Sequence, residues 1–175
     1  MFAIIICLVS ALVLIGADQW IKYIVDTQMQ VGDTIPLWNG VLHITYLQNL
    51  GAAFGSMQGQ KWLLIGVTSV VLLGLLIYLC SGRVKAPLLA TSLTLIVAGG
   101  IGNLIDRIFR GFVVDYVDVR IINFAIFNLA DCCVVIGTAL LLLHVIRTEL
   151  RDRATKKAAQ AETEAPPPDL SGGEE

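Results

Sequence analysis

Along the chain, apolar residues run on unbroken in four places, and polar residues collect between them. The apolar stretches are Phe2 to about Val25, Trp62 to Cys80, Pro87 to about Ile105 and Phe124 to about Ile146. A hydrocarbon core about 30 Å thick is crossed by roughly 20 residues of helix, so each stretch is predicted to span a membrane. The first could be mistaken for a cleaved leader. It lacks a positively charged start and a small-residue cleavage site followed by polar sequence, so a retained helix is expected.

The interval 26–60 has a different period. Ile35-Pro36-Leu37-Trp38, then Asn39-Gly40, then Val41-Leu42-His43-Ile44-Thr45-Tyr46 predicts a short hairpin closed by a two-residue turn. Pro36 has no N–H to give a ladder and confines its strand to an edge. Trp38 and Tyr46 suit the water–lipid interface. His43 has no Ser, Cys or second His at a telling distance and is expected to be structural. In Asn49-Leu50-Gly51-Ala52-Ala53-Phe54-Gly55 the glycines flank an apolar pair, which allows a close backbone approach or a mobile hinge. The GxxxG made by Gly51 and Gly55 specifies little on its own.

Composition agrees with the pattern. The 175 residues are 56% hydrophobic and 15% charged, with mean hydropathy +0.77, whereas soluble domains are roughly 25% charged. The formal net charge of -2 says little about partners, because the two signs are segregated along the chain, and nothing suggests nucleic-acid binding. Cys7, Cys80, Cys132 and Cys133 all lie in apolar stretches, without a CxxC pair or a histidine cluster. They read as packing thiols, and neither a metal nor a cofactor is expected.

Lysine and arginine set the orientation. Arg83 and Lys85 follow span two, and Arg147, Arg151, Arg153, Lys156 and Lys157 follow span four. The positive-inside rule makes both regions cytoplasmic. Both termini are then inside, while the hairpin region and the loop 106–123 are outside. The expected organisation is a four-span domain over 1–147 and a cytoplasmic segment over 148–175. That segment holds a basic run and an acidic, proline-rich tail, of which about the last fifteen residues should be disordered. Lys22, Arg107 and Arg110 fall on the outer side against the rule, so partners must hold them there. Asp18 and Lys22 share a helix face at i,i+4; they form either a helix-end pair with Lys22 snorkelling to the interface or part of a site.

The stretch from Gly99 to Asp131 carries the candidate chemistry. It sets Asp106, Arg107, Asp115, Asp118 and Asp131, with Asn103 and Asn128, among residues that should lie in or beside the membrane. An ionisable group at the centre of a span costs roughly 2.5–3.5 kcal/mol on insertion scales, so such groups mark function. Asp115 is expected in the outer loop, and Asp131 about seven residues into span four, roughly 10 Å below its outer end. A fold-back of the loop would bring the two carboxyls together near the outer leaflet boundary. Close carboxylates do not both ionise cheaply, so one keeps a proton while the other serves as a base, which suits peptide hydrolysis. There is no HExxH, no GxSxG and no histidine beside a nucleophile. The same residues could instead be packing pairs, Asp106 with Arg107 and Asp131 with an asparagine. A small ion-conducting protein and a non-enzymatic assembly factor also stay open.

Five pieces in order, Asp18-Gln-Trp-Ile-Lys22, Asn49-Leu-Gly51-Ala-Ala-Phe54-Gly, Gly99-Gly-Ile-Gly-Asn103-Leu-Ile-Asp106-Arg107, Val113-Val-Asp115-Tyr and Phe127-Asn128-Leu-Ala130-Asp131, resemble the lipoprotein signal peptidases of bacteria. The resemblance covers nearly the whole membrane portion. It implies an all-α membrane protein of four transmembrane helices, with a small extracytoplasmic β-hairpin or cradle and a lid between helices one and two. It also implies an aspartic-type endopeptidase of the cytoplasmic (inner) membrane, working without cofactor as a monomer. The substrate would be a diacylglyceryl-prolipoprotein, cut just before the lipidated cysteine. Asp115 and Asp131 would be catalytic. Asn49, Gly51, Phe54, Gly99, Asn103, Asp106, Arg107, Asn128 and Ala130 would bind substrate or support the site, with Asp18 and Lys22 helping to organise it. The acidic proline-rich tail belongs to none of the matching pieces.

Overall fold

Helix α3 (Pro87–Phe109) packs against the first and second helices and against the third strand. It starts on a proline, whose missing N–H is one that a first helical turn leaves unpaired anyway. Its buried face runs from Ser92 through Val97, Gly99, Gly102 and Asn103 to Asp106. The structure is a computed structural model and describes residues 2–51, 60–122 and 124–164. Among these, four helices are long and apolar enough to cross a membrane: α1 (Phe2–Gln28), α2 (Lys61–Cys80), α3 and α4 (Leu129–Glu164). A small antiparallel sheet of β1 (Thr34–Trp38), β2 (Leu42–Asn49) and β3 (Val113–Val119), in the order β1-β2-β3, completes the fold.

Lipid tails are as apolar as leucine, so membrane helices associate through close packing rather than through exclusion from water. Glycines supply that closeness here. A Cβ added at Gly99 would run into the Ala130 carbonyl oxygen of α4, and one at Gly102 would lie 2.6 Å from Asp18 Oδ2 of α1. One at Gly137 of α4 would lie 2.8 Å from the Ser92 carbonyl oxygen. Even alanine is too large at Gly99, because backbone is what it would strike.

Four details differ from the expectations above. Residues 113–119, expected as outer loop, form β3, paired with β2 through Asn49↔Val113, Leu47↔Asp115 and His43↔Asp118. The β-branched run Val-Val-Asp-Tyr-Val-Asp-Val favours a strand, and its two aspartates mask that preference. The hairpin turn holds residues 39–41 rather than two, with Trp38 paired to Leu42 and a register shift between Pro36 and Trp38. Pro36 cannot donate to the ladder, and Gly40 at φ +74 accepts the left-handed position that such a bulged turn requires.

Tyr46, expected at the interface, is only 2% exposed and packs with Val25, Val114 and Tyr116. Its hydroxyl donates to Asp26 and accepts from Gln48 Nε2 at 3.0 Å, so the polar tip is satisfied without water. Helix α4 begins at Leu129, not Phe124, because residues ahead of it run back along β3. Phe127 exchanges backbone hydrogen bonds with Val117 at 2.7 and 3.1 Å. Asp131 therefore sits in the first turn of α4 and not deep within it.

The chain divides into two units, Met1–Leu141 and Leu142–Glu175. In the second, α4 runs on through the basic residues to Glu164, for no glycine or proline interrupts it before Pro166. Arg153 pairs there with Glu149 at 2.9 Å. Residues 165–175 of the expected disordered tail, and Phe54 with most of the glycine-flanked stretch expected to belong to the lid, lie outside the described residues.

Candidate active site

The first turn of α4 is built by its own sequence. Asn128 accepts the first intrahelical bond from Cys132 N–H at 3.2 Å, which makes it the N-cap. Its side-chain Oδ1 accepts from Asp131 N–H at 2.9 Å, and Asp131 Oδ2 accepts from Asn128 N–H at 3.2 Å. This reciprocal pair is a capping box made with Asn and Asp. It leaves Asp131 Oδ1 to accept from Asn103 Nδ2 of α3 at 2.7 Å.

Asp115 comes from the middle of β3 and is 1% exposed. Its Oδ1 accepts from Asn128 Nδ2 at 2.6 Å and its Oδ2 from Asn49 Nδ2 at 3.0 Å. The Asn49 contact is the diagonal one expected from the pairing of Asn49 with Val113 on the same face of the sheet. Asn128 thus holds both aspartates, one through its side-chain amide and the other through its backbone N–H. Both carboxyls line one cleft of about 460 Å³, with apolar walls from Val113, Phe127, Val134 and Ile136. Burial pushes the Asp115 carboxyl up to about 6. The hydrogen bond from Asn49 opposes that rise, the Asp131 charge adds to it, and Asn128 and Lys22 oppose it.

Behind the pair lies a buried ionic cluster. Lys22, 0% exposed, points its three ammonium hydrogens at three acceptors: Asp18 Oδ2 at 2.9 Å, Asp106 Oδ2 at 3.0 Å and Asn103 Oδ1 at 2.9 Å. The snorkelling alternative for Lys22 is therefore wrong, since its head is fully enclosed. Asp18 Oδ1 accepts from Ala130 N–H at 3.0 Å, linking α1 to the start of α4. Asp106 also takes Arg110 and, at 3.2 Å, Val114 N–H, so it ties α3 to β3. Of the alternative packing pairs, Asp131 does bond an asparagine, Asn103, while no ion pair joins Asp106 to Arg107 among the described residues.

Arg107 donates instead to the carbonyls of Asn103 at 3.2 Å and Gly51 at 3.0 Å. Gly51 N–H in turn donates to Asn49 Oδ1 at 3.0 Å. The structure therefore brings Asp18, Lys22, Asn49, Gly51, Asn103, Asp106, Arg107, Asn128 and Ala130 into one connected network with Asp115 and Asp131, while Gly99 shapes it from behind. Asp118 stands apart at the other end of β3, bonded to Arg120 at 2.8 Å and Thr45 at 2.7 Å.

The sequence reading assigned no site role to three residues of this network. Gln19 donates to the Gly102 carbonyl at 3.0 Å and to Asp106 Oδ1 at 3.2 Å. Arg110 reaches Asp106 and Asp26, and its i,i+4 spacing from Asp106 was a usable signal. Tyr116 Oη accepts from Leu129 N–H at 3.2 Å, a contact across the fold that no local pattern announces. Among the described residues no group of three or more His, Cys, Asp or Glu could hold a metal ion.

Residues 10–147 match the family described as signal peptidase (SPase) II. The lipoprotein signal peptidase of Halalkalibacterium halodurans is 45% identical over 152 residues, covering 86% of this chain and 97% of that protein. The lipoprotein signal peptidase of Halothermothrix orenii is 46% identical over 141 residues, covering 81% of this chain and 95% of that protein. A bacterial membrane enzyme solved by the in meso method at 2.3 Å resolution superposes with a TM-score of 0.76 at 32% identity, over 81% of this chain and 87% of its own. With four helices long and apolar enough to cross a membrane among the described residues, the chain is a multi-pass membrane protein that belongs to the signal peptidase II family.

Proposed function

We propose that this protein is an aspartic endopeptidase that removes the signal peptide from diacylglyceryl-modified prolipoproteins, cutting just before the lipidated cysteine. The observation that carries the reading is the tethering of Asp115 and Asp131 by one asparagine at the wall of one largely apolar cleft. One carboxylate takes a proton from water, the resulting hydroxide adds to the scissile carbonyl, and the protonated partner gives its proton to the leaving amine. No covalent enzyme intermediate is needed. The amides of Asn49, Asn103 and Asn128 hold the two carboxyls by hydrogen bonds, and Arg107, which lines the same cleft, would add a positive charge beside the substrate.

A substrate anchored by a diacylglyceryl group presents its scissile bond near the acyl–headgroup boundary. The site would meet it on the outer face of the bacterial inner membrane, with both termini and residues 148–175 on the cytoplasmic side. The protein would act as a monomer among lipids, with the segment between α1 and α2 supplying the cradle and lid.

The test is a gel-shift assay in detergent with a lipidated prolipoprotein and its unlipidated precursor. Loss of the signal peptide from the lipidated substrate alone is expected. A folded sample that leaves the lipidated precursor intact would remove the proposal. The same assay supplies a pH test. Asp115 stands above its ordinary value, at about 6, so it keeps a proton at pH values where a free aspartate has lost it. If the pair works singly protonated, kcat/KM should descend as the pH rises through about 6 and fall again in acid once both carboxyls are protonated, with the apparent pKa values belonging to the pair. A profile flat from pH 5 to 8 would contradict the assignment.

A further inference from the structure

We propose that Tyr116 is a positioning residue for the reaction: its hydroxyl pins the first turn of α4 to β3 and so fixes where Asp131 stands relative to Asp115. The inference rests on the reading of Asp115 and Asp131 as the reacting pair.

A helix start exposes backbone N–H groups that need acceptors. In α4 the N–H groups of Asn128 and Asp131 are taken by the capping box, and those of Leu129 and Ala130 by other elements. Asp18 of α1 accepts the Ala130 N–H at 3.0 Å, and Tyr116 of β3 accepts the Leu129 N–H at 3.2 Å. Tyr116 is the chain neighbour of Asp115, and Leu129 is two residues before Asp131. The phenol is thus a strut between the two short segments that carry the carboxyls.

Both ends of the strut are fixed. The ring is 5% exposed and packed among Val25, Tyr46 and Val114, so it cannot swing with the helix. Tyr116 N–H and Val117 N–H both donate to the Phe127 carbonyl, at 3.1 and 2.7 Å, and hold β3 to the chain leading into α4. Those backbone bonds survive removal of the hydroxyl. Deleting the oxygen therefore leaves the fold joined, with the capping box and the bonds from Asp18 and Asn103 in place, and frees the Leu129 N–H alone, a loosening of the first turn that matters to alignment before it matters to stability.

Tyr116→Phe keeps the ring and removes the acceptor. In the lipidated-substrate assay kcat should fall about tenfold, while KM stays within about twofold and the melting temperature in detergent within a few degrees. A merely structural loss would lower the melting temperature or the active fraction instead, and that outcome would overturn the inference, as would a native kcat. Leu129→Pro removes the matching donor at the first helical position, where proline is tolerated. In that background the added Tyr116→Phe should change kcat by less than about twofold. A full tenfold loss there would mean that the hydroxyl acts elsewhere and would also overturn the inference.

If Leu129→Pro does not insert, the division of the Tyr116→Phe effect between kcat and KM still decides. Asp131→Asn runs beside these variants. If it stays active, the reading of the aspartate pair fails; if it is dead while Tyr116→Phe equals the native enzyme, the strut alone fails.

Discussion

Asp131→Asn should lower cleavage of a lipidated prolipoprotein by at least about a thousandfold while the protein still inserts and folds, and Asp115→Asn should do the same. An asparagine has nearly the volume of an aspartate, so the packing of α4 against α3 is not disturbed. What changes is the proton chemistry, since an amide can neither take a proton from water nor deliver one to an amine. Both carboxyls accept hydrogen bonds at both oxygens: Asp131 from Asn103 Nδ2 and Asn128 N–H, Asp115 from Asn49 Nδ2 and Asn128 Nδ2. An asparagine at either place turns one acceptor into a donor that faces a donor.

A loss of about 1–3 kcal/mol in stability should accompany the loss of activity. The measurement is cleavage rate beside a thermal melt and a helix signal from circular dichroism. An unfolded variant would favour a purely structural role for the aspartates. A folded variant with native rates would exclude the aspartyl mechanism.

The largest stability effect is expected at Lys22→Met. The native ammonium faces Asp18 and Asp106, both buried, and Asn103, with no hydrogen left over for water. Removing the cation leaves buried carboxylates short of their counter-charge, and breaking such a pair from one side typically destabilises by about 3–5 kcal/mol. Asp106 keeps Arg110, so Asp18 bears most of the loss. Asp18 also holds the Ala130 N–H, so the start of α4 should loosen and activity should fall with stability. Adding Asp18→Asn to Lys22→Met should recover part of the stability, because it removes the stranded charge. Denaturation in detergent reads both. A melting temperature for Lys22→Met equal to that of the native protein would mean that the cluster contributes no net stability.

Much of this site was legible because membranes make polar residues conspicuous. Asp18, Lys22, Asp106, Arg107, Asp115 and Asp131 each interrupt apolar sequence and could not go unnoticed, and the asparagines lie within a few residues of them. The geometry was less legible. Apolar residues continue from Phe124 into α4, so hydropathy alone could not see that residues 124–128 run along β3 and that the helix waits for Asn128. The signal was nonetheless there, in the Asn-x-x-Asp spacing of a capping box. β3 was hidden in the opposite way, its valines and tyrosine outvoted by two aspartates and by the expectation that polar residues after a span make a loop. Tyr116 and Gln19 act through contacts made only when separate elements meet, and no local pattern encodes those.

The ionic cluster bears on how the chain enters a bilayer at all. Asp18 and Lys22 are four residues apart on α1, and Asp106 in the last turn of α3 is four residues before Arg110, the residue that caps it; each couple is a local ion pair. Each helix can therefore carry its counter-ion with it during insertion, at less than the roughly 2.5–3.5 kcal/mol that a lone charge at the centre of a span would cost. Assembly of α1 against α3 then exchanges partners that are already neutralised, as Lys22 turns to share Asp106. A cluster that looks forbidding in the finished protein can in this way be delivered in two nearly neutral halves.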